Sequence, residues 1–143
     1  MADLMTHGLS RQQADVNTAL RQTWPELHGP RRHWDTARLV ALFRHAGYVS
    51  DGPLRPHAGL MVYRGELAGS PDPGISWSTD KAVAVKFAQG WASAGLTVVW
   101  QAVAPPDSVL ARFGLEDEVV VQPDLLADVA SLGGFEHFTW PPS

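Results

Sequence analysis

The sequence predicts an α+β protein, and three observations predict it. Two stretches before residue 48 carry apolar residues at helical spacing. Short apolar and β-branched runs, separated by turn residues, fill most of the remainder. Neither a repeat nor a linker interrupts the chain, so helices come first and a mainly antiparallel strand set follows within a single domain, residues 1–143.

The first helix rests on Val16, Leu20 and Trp24, four residues apart, and Pro25 ends it. In "HWDTARLVALFRHAGYV" Asp35 or Thr36 is the N-cap. Leu39, Val40, Phe43 and Ala46 form the apolar stripe, and Gly47 sits at the stop. These N-terminal helices span about residues 10–47. After the turn-rich "SDGPLRPHAG", "LMVYRGE" reads as a strand ending at Gly65, and "LAGSPDPG" as a tight loop. "ISWSTDKAVAVKFAQGWAS" is a short strand running into a helix. Ser78, Thr79 and Asp80 are its candidate caps, and Val83, Ala84, Phe87, Ala88 and Trp91 its buried stripe. "LTVVWQAVA" is an uncharged strand, and "PPDSVLARFG" a turn with a short helical or irregular link. "EVVV" reads as a strand buried on both faces, and the tail "GGFEHFTWPPS" offers a last strand from Phe135 to Trp140.

Composition excludes several functions. Of the 143 residues, 45% are apolar and 18% charged, which suits a folded core and not a disordered chain. Lys81 and Lys86 are the lysines, and eleven basic residues stand against fifteen acidic ones. Such a surface argues against nucleic acid and anionic membranes as partners. With no cysteine, disulfides, thiol nucleophiles and thiolate-held zinc are out. The six histidines show no HExxH spacing, so no metal is expected. The N-terminal stretch lacks a basic start followed by an apolar run, and no segment approaches the ~20 apolar residues of a membrane span. A cytoplasmic monomer is the expectation, although export without a cleaved signal leaves no such mark.

Three short motifs carry the chemistry. Arg64 closes an apolar strand before Gly65, which lets a ligand approach the backbone. Its guanidinium either grips a phosphate or stands at a solvated strand end. Ser76 and Ser78, two apart on a strand, share a face, and they either serve a site or lead into a helix cap. In "LEDEVVVQPD", Glu116 and Glu118 share a strand face and Asp117 points away. That pair is either an acidic hairpin tip or two carboxylates with separate tasks.

Taken in order, "VYRGE", "SWS" with the following "AVAVKFA", and "EDEVVVQP" resemble the arginine–serine–glutamate class of mono-ADP-ribosyltransferases. The resemblance covers about residues 60–123, with Trp77 where the family usually has threonine. It implies two small sheets packed at a steep angle around an NAD cleft, and a catalytic core over about residues 59–140. It assigns Arg64 to the phosphate or the nicotinamide-side ribose, and Gly65, through its backbone, to the carboxamide. Tyr63, Ser76, Trp77 and Ser78 complete the NAD-binding set. Ser76 orients Glu118, the catalytic glutamate, and Glu116 holds and deprotonates the acceptor. Glu-x-Glu in this family accompanies guanidinium acceptors, so arginine on a protein is the expected target. Trp77 has two readings, stacking on nicotinamide or adenine, or core.

Two other functions stay open. An NAD glycohydrolase of the same fold gives the ribosyl group to water, and a non-catalytic binding module keeps only the fold. The biological setting, whether toxin, phage-encoded modifier or regulator, is equally open.

Overall fold

The computed structural model describes residues 10–24, 36–68 and 74–132. Its elements are α1 (Arg11–Thr23), α2 (Thr36–Ala46), β1 (Val49–Ser50), β2 (Leu60–Leu67), β3 (Ser76–Ser78), α3 (Lys81–Trp91), β4 (Thr97–Ala104), β5 (Val109–Phe113), β6 (Glu118–Val121) and β7 (Ala127–Ser131). The α+β order holds. The strands form one seven-stranded sheet in the order β1-β5-β6-β3-β2-β4-β7, not the two small sheets expected. Its centre is narrow. β2 and β4 pair over eight positions, from Leu60 opposite Ala104 to Leu67 opposite Thr97. β2 and β3 meet at a single pair, Tyr63 opposite Ser78. All neighbours run antiparallel except β1 and β5.

Local chemistry explains the helices. Ser10 and Gln13 form a reciprocal capping box at the start of α1. Asn17 then donates to the carbonyls of Ala46 (3.0 Å) and Tyr48 (2.8 Å), tying α1 to the end of α2, where carbonyls lack intrahelical partners. Gly47 takes φ 80° at that stop, the conformation glycine adopts without penalty. Thr36 lies inside α2, and the other expected cap, Asp35, is outside the described residues. Asp80 caps α3 through the Ala82 N–H at 2.9 Å.

Two cores lie on opposite faces of the sheet. Leu20, Trp24, Phe43, Val49, Phe113 and Val120 belong to one, and Val62, Trp77, Trp100, Val119 and Val121 to the other. The three valines of β6 therefore divide between the faces, as a strand covered on both sides requires.

Three expectations are corrected here, and one strand is new. Residues 109–113 are a strand, not a link: Val109, Leu110, Ala111 and Phe113 are all buried, which a solvated turn would not allow. β2 continues past Gly65 to Leu67, because its ladder with β4 does. Ala127–Ser131 adds an edge strand beside β4 that its weak alternation did not announce. In α3, Ala84 and Ala88 are buried, whereas Phe87 and Trp91 stand 50% and 38% exposed. The helix lies so close to β2 that only small residues fit beneath it. The expected strand at Phe135–Trp140 falls outside the described residues.

Tyr48 packs against the second core and donates its hydroxyl to the Pro53 carbonyl at 2.9 Å. Burial pushes its phenol above the usual value, against the opposing pull of Ser50, Arg112 and Arg55. The folded chain thus holds this proton more tightly than the unfolded one. The associated stability is present below the ordinary phenol range and is lost as pH rises through the folded value. Tyrosinate absorbance of the wild type minus that of Tyr48→Phe should show a midpoint above the ordinary ~10. A midpoint at or below it would mean that burial does not govern this group.

Candidate active site

The pairing of β3 with β6 sets Ser78 opposite Glu118 and Ser76 opposite Val120. Residues directly opposite share a face, so Ser76, Ser78 and Glu118 lie on one side of the sheet, together with Tyr63. Ser76 is the diagonal neighbour of Glu118, and its hydroxyl donates to the Glu118 Oε2 at 2.5 Å. A second donor reaches the same oxygen from far away in sequence: the Trp24 indole N–H, at 3.0 Å. Two aligned donors fix a carboxylate oxygen that would otherwise rotate.

Arg64 arrives differently. Strand alternation starts its side chain on the face opposite Glu118, and the guanidinium reaches into the gap where β2 and β3 separate. There its Nη1 donates to the Ser76 carbonyl at 2.7 Å. Its Nε donates to Glu66 Oε1 at 2.6 Å, and the Glu66 side chain is only 5% exposed. Nη2 makes no hydrogen bond to a described residue, and the Arg64 side chain keeps 27% of its surface. The guanidinium lies over Gly74, where an added Cβ would come within 2.0 Å of Cζ. Ser76 is thus the hub: its carbonyl holds Arg64 and its hydroxyl holds Glu118.

Gly65 has a different purpose from the one expected. The side where a Cβ would project is filled by α3, with the Ala84 carbonyl oxygen at 2.0 Å and the Ala88 nitrogen at 2.7 Å. The absent side chain admits a helix, not a ligand. Its backbone is nonetheless well directed. Ala68 N–H donates to the Leu96 carbonyl, and Leu132 N–H to the Val99 carbonyl. Gly65 is opposite Val99, and bonding direction alternates along an antiparallel ladder. Its N–H and C=O therefore point away from β4, toward β3, where the next pair with Ser76 is not formed.

The three carboxylates of the opening motif are separated. β6 begins at Glu118, while Glu116 and Asp117 form a turn with φ 59° and 49°. The expected shared face of Glu116 and Glu118 is corrected: a strand's alternation cannot extend through left-handed residues. Such backbone costs on the order of 1–3 kcal/mol per residue and persists where neighbours hold it. Here Ser78 Oγ donates to the Glu116 carbonyl at 2.8 Å, and Thr79 N–H to that of Asp117 at 3.1 Å. The Glu116 side chain is exposed. Ser78, only 4% exposed, fastens this turn and also accepts from Asp80 N–H. Trp77 is core at 2% exposure, with its indole N–H on the Gly74 carbonyl. Of its two readings the apolar one is observed.

Trp24, Glu66 and Gly74 were absent from the expected set. Glu66 had a readable signal, two residues beyond Arg64 and so on its strand face. Trp24 had none, being 94 residues from its partner. A separate shallow hollow, lined by Phe43, Arg44, Gly47, Tyr48, Arg55, Val109 and Leu110, shares no residue with this cluster. Among the described residues no group of three His, Cys, Asp or Glu is placed to hold a metal, and no helix is long and apolar enough to cross a membrane. The fold and site define a mixed α+β domain with an arginine–serine–glutamate cluster where its sheet narrows. In comparisons with protein-family models, curated proteins and solved structures, no match to the chain was found.

Proposed function

We propose that this chain is an NAD-dependent mono-ADP-ribosyltransferase, moving ADP-ribose from NAD to an arginine on a protein and releasing nicotinamide. The observation that carries the reading is the double role of Ser76, which ties an arginine through its carbonyl and a glutamate through its hydroxyl. The residues suit NAD. Arg64 keeps Nη2 without a hydrogen bond to a described residue, which suits a phosphate or ribose oxygen, and the Gly65 backbone is directed toward the gap beside it.

Cleavage of the ribose–nicotinamide bond gives the electron pair to nicotinamide and leaves an oxocarbenium-like ribosyl group. Glu118, fixed by Ser76 and Trp24, supplies negative charge to that developing cation without reorganising. Arg64 anchors the pyrophosphate end. Glu116, exposed on its turn, receives the acceptor guanidinium, whose nitrogen forms the new C–N bond. The proton shed there passes to the Glu116 carboxylate. Hydrolysis needs Glu118 but not Glu116, so a slow glycohydrolase activity accompanies transfer.

Incubating the purified chain with labelled NAD and a cell lysate, then following free nicotinamide and labelled protein, tests the proposal. Labelled arginine supports it. Nicotinamide release equal to the blank, in water and in lysate, overturns it. Arg64→Ala should weaken NAD binding about ten- to a hundredfold by calorimetry, the loss of one charge-assisted contact, and Arg64→Lys should recover only part. Gly74→Ala should weaken it comparably, because its Cβ meets the guanidinium and pushes it off Glu66 and the Ser76 carbonyl. The unpaired, buried Glu66 should lower the unfolding midpoint as well. Unchanged affinity in folded Arg64→Ala would remove this arginine from the site.

A further inference from the structure

The first helix reaches the candidate catalytic carboxylate. Trp24 follows α1 directly, is 1% exposed, and packs edge-on against Phe43 with ring centroids 4.9 Å apart. Its indole nitrogen can only donate, and a buried donor needs an acceptor. It donates to Glu118 Oε2, the same oxygen that accepts from Ser76. An apolar side chain of similar bulk would satisfy the packing with Phe43, Leu20 and Leu39 without bringing an N–H to a partly buried carboxylate.

We infer that Trp24 is a positioning residue for Glu118, so that the end of the first helix orients the candidate catalytic carboxylate as well as covering the sheet. The Ser76 hydroxyl holds the carboxylate oxygen from the sheet. The indole, buried in the core against Phe43, supplies a second direction and holds the oxygen still. α1 is itself anchored to the end of α2 and to Tyr48, just before β1, by Asn17, and to α2 by Gln13 through the His45 carbonyl at 3.0 Å. The carboxylate is therefore referenced to the helical layer as well as to the sheet. This inference rests on the proposed reaction, and its test separates the two.

Trp24→Phe keeps an aromatic ring against Phe43 and removes the N–H. Phe43→Leu disturbs the same core and leaves the N–H in place, so it reports the cost of packing alone. Nicotinamide release from NAD is measured for both below their unfolding midpoints. In Trp24→Phe kcat should fall roughly tenfold while KM for NAD stays within about twofold, as loss of a hydrogen bond to a charged group predicts. Phe43→Leu should keep kcat. Independently of activity, the indole N–H resonance missing from Trp24→Phe should move in Glu118→Gln and stay in place in Glu116→Gln. If both core variants lose kcat equally, or if that resonance ignores Glu118→Gln, the inference is overturned. If the wild type releases no nicotinamide, the proposed reaction fails, and the resonance still decides the contact.

Discussion

Glu118→Gln should abolish both nicotinamide release and acceptor labelling, whereas Glu116→Gln should lose labelling and keep slow hydrolysis. The first substitution preserves shape and removes the charge beside the oxocarbenium. Deleting a preorganised electrostatic group of that kind costs on the order of 10²–10³ in kcat. The hydroxyl of Ser76 and the indole of Trp24 would then meet a neutral amide oxygen, so the fold should tolerate the change. Glu116 stands on the turn before β6, exposed, with its backbone and not its carboxylate fastened to Ser78. Its neutralisation removes the partner of an incoming guanidinium and leaves the sugar chemistry untouched, lowering labelling about tenfold or more. Asp117→Asn serves as the internal control. Asn accepts left-handed backbone as readily as Asp, and the Asp117 carbonyl keeps its bond from Thr79 N–H. An ordinary acidic turn predicts three mild and similar variants. Nicotinamide release and labelling, measured side by side, decide it. Equal loss of hydrolysis in the two glutamate variants would end the division of labour, and full activity in Glu118→Gln would end the enzyme.

The second large effect is structural. Gly65→Ala should destabilise the protein by about 3 kcal/mol or more, or prevent folding, because the added methyl meets backbone on two sides. Neither the Ala84 carbonyl nor the Ala88 nitrogen can yield without shifting α3 as a whole. Gly90→Ala, in the same helix with open space around its Cβ, should instead stabilise by a few tenths to ~1 kcal/mol through helix propensity. At roughly 3 °C per kcal/mol for a chain of this size, the two midpoints should part by about 10 °C or more. A Gly65→Ala protein melting with the wild type would mean that α3 does not lie against β2 as described.

Much of this architecture was legible from spacing alone. Val16, Leu20 and Trp24, the stripe of α2, and three consecutive valines mark their elements because burial on one face or two imposes a period on neighbouring residues. The order of Arg64, Ser76 and Glu118 was visible in the same way, each being a polar residue on or beside an apolar run. What spacing does not contain is where a strand begins to alternate and what arrives from elsewhere. Glu116 looked like a strand partner of Glu118, yet two left-handed residues held by Ser78 and Thr79 put it on a turn. Gly65 looked like room for a ligand, yet the backbone of α3 fills that side. Phe87 and Trp91 had the right period for burial, but so close a helix leaves space beneath it only for Ala84 and Ala88. Trp24 was read as a core position, and its indole N–H meets Glu118 only because the helical layer closes over β6. The local residues by themselves determined which segments fold and which polar groups each carries. Tertiary packing decided which of those groups meet, since contacts across tens of residues depend on chain closure that no short window of sequence records.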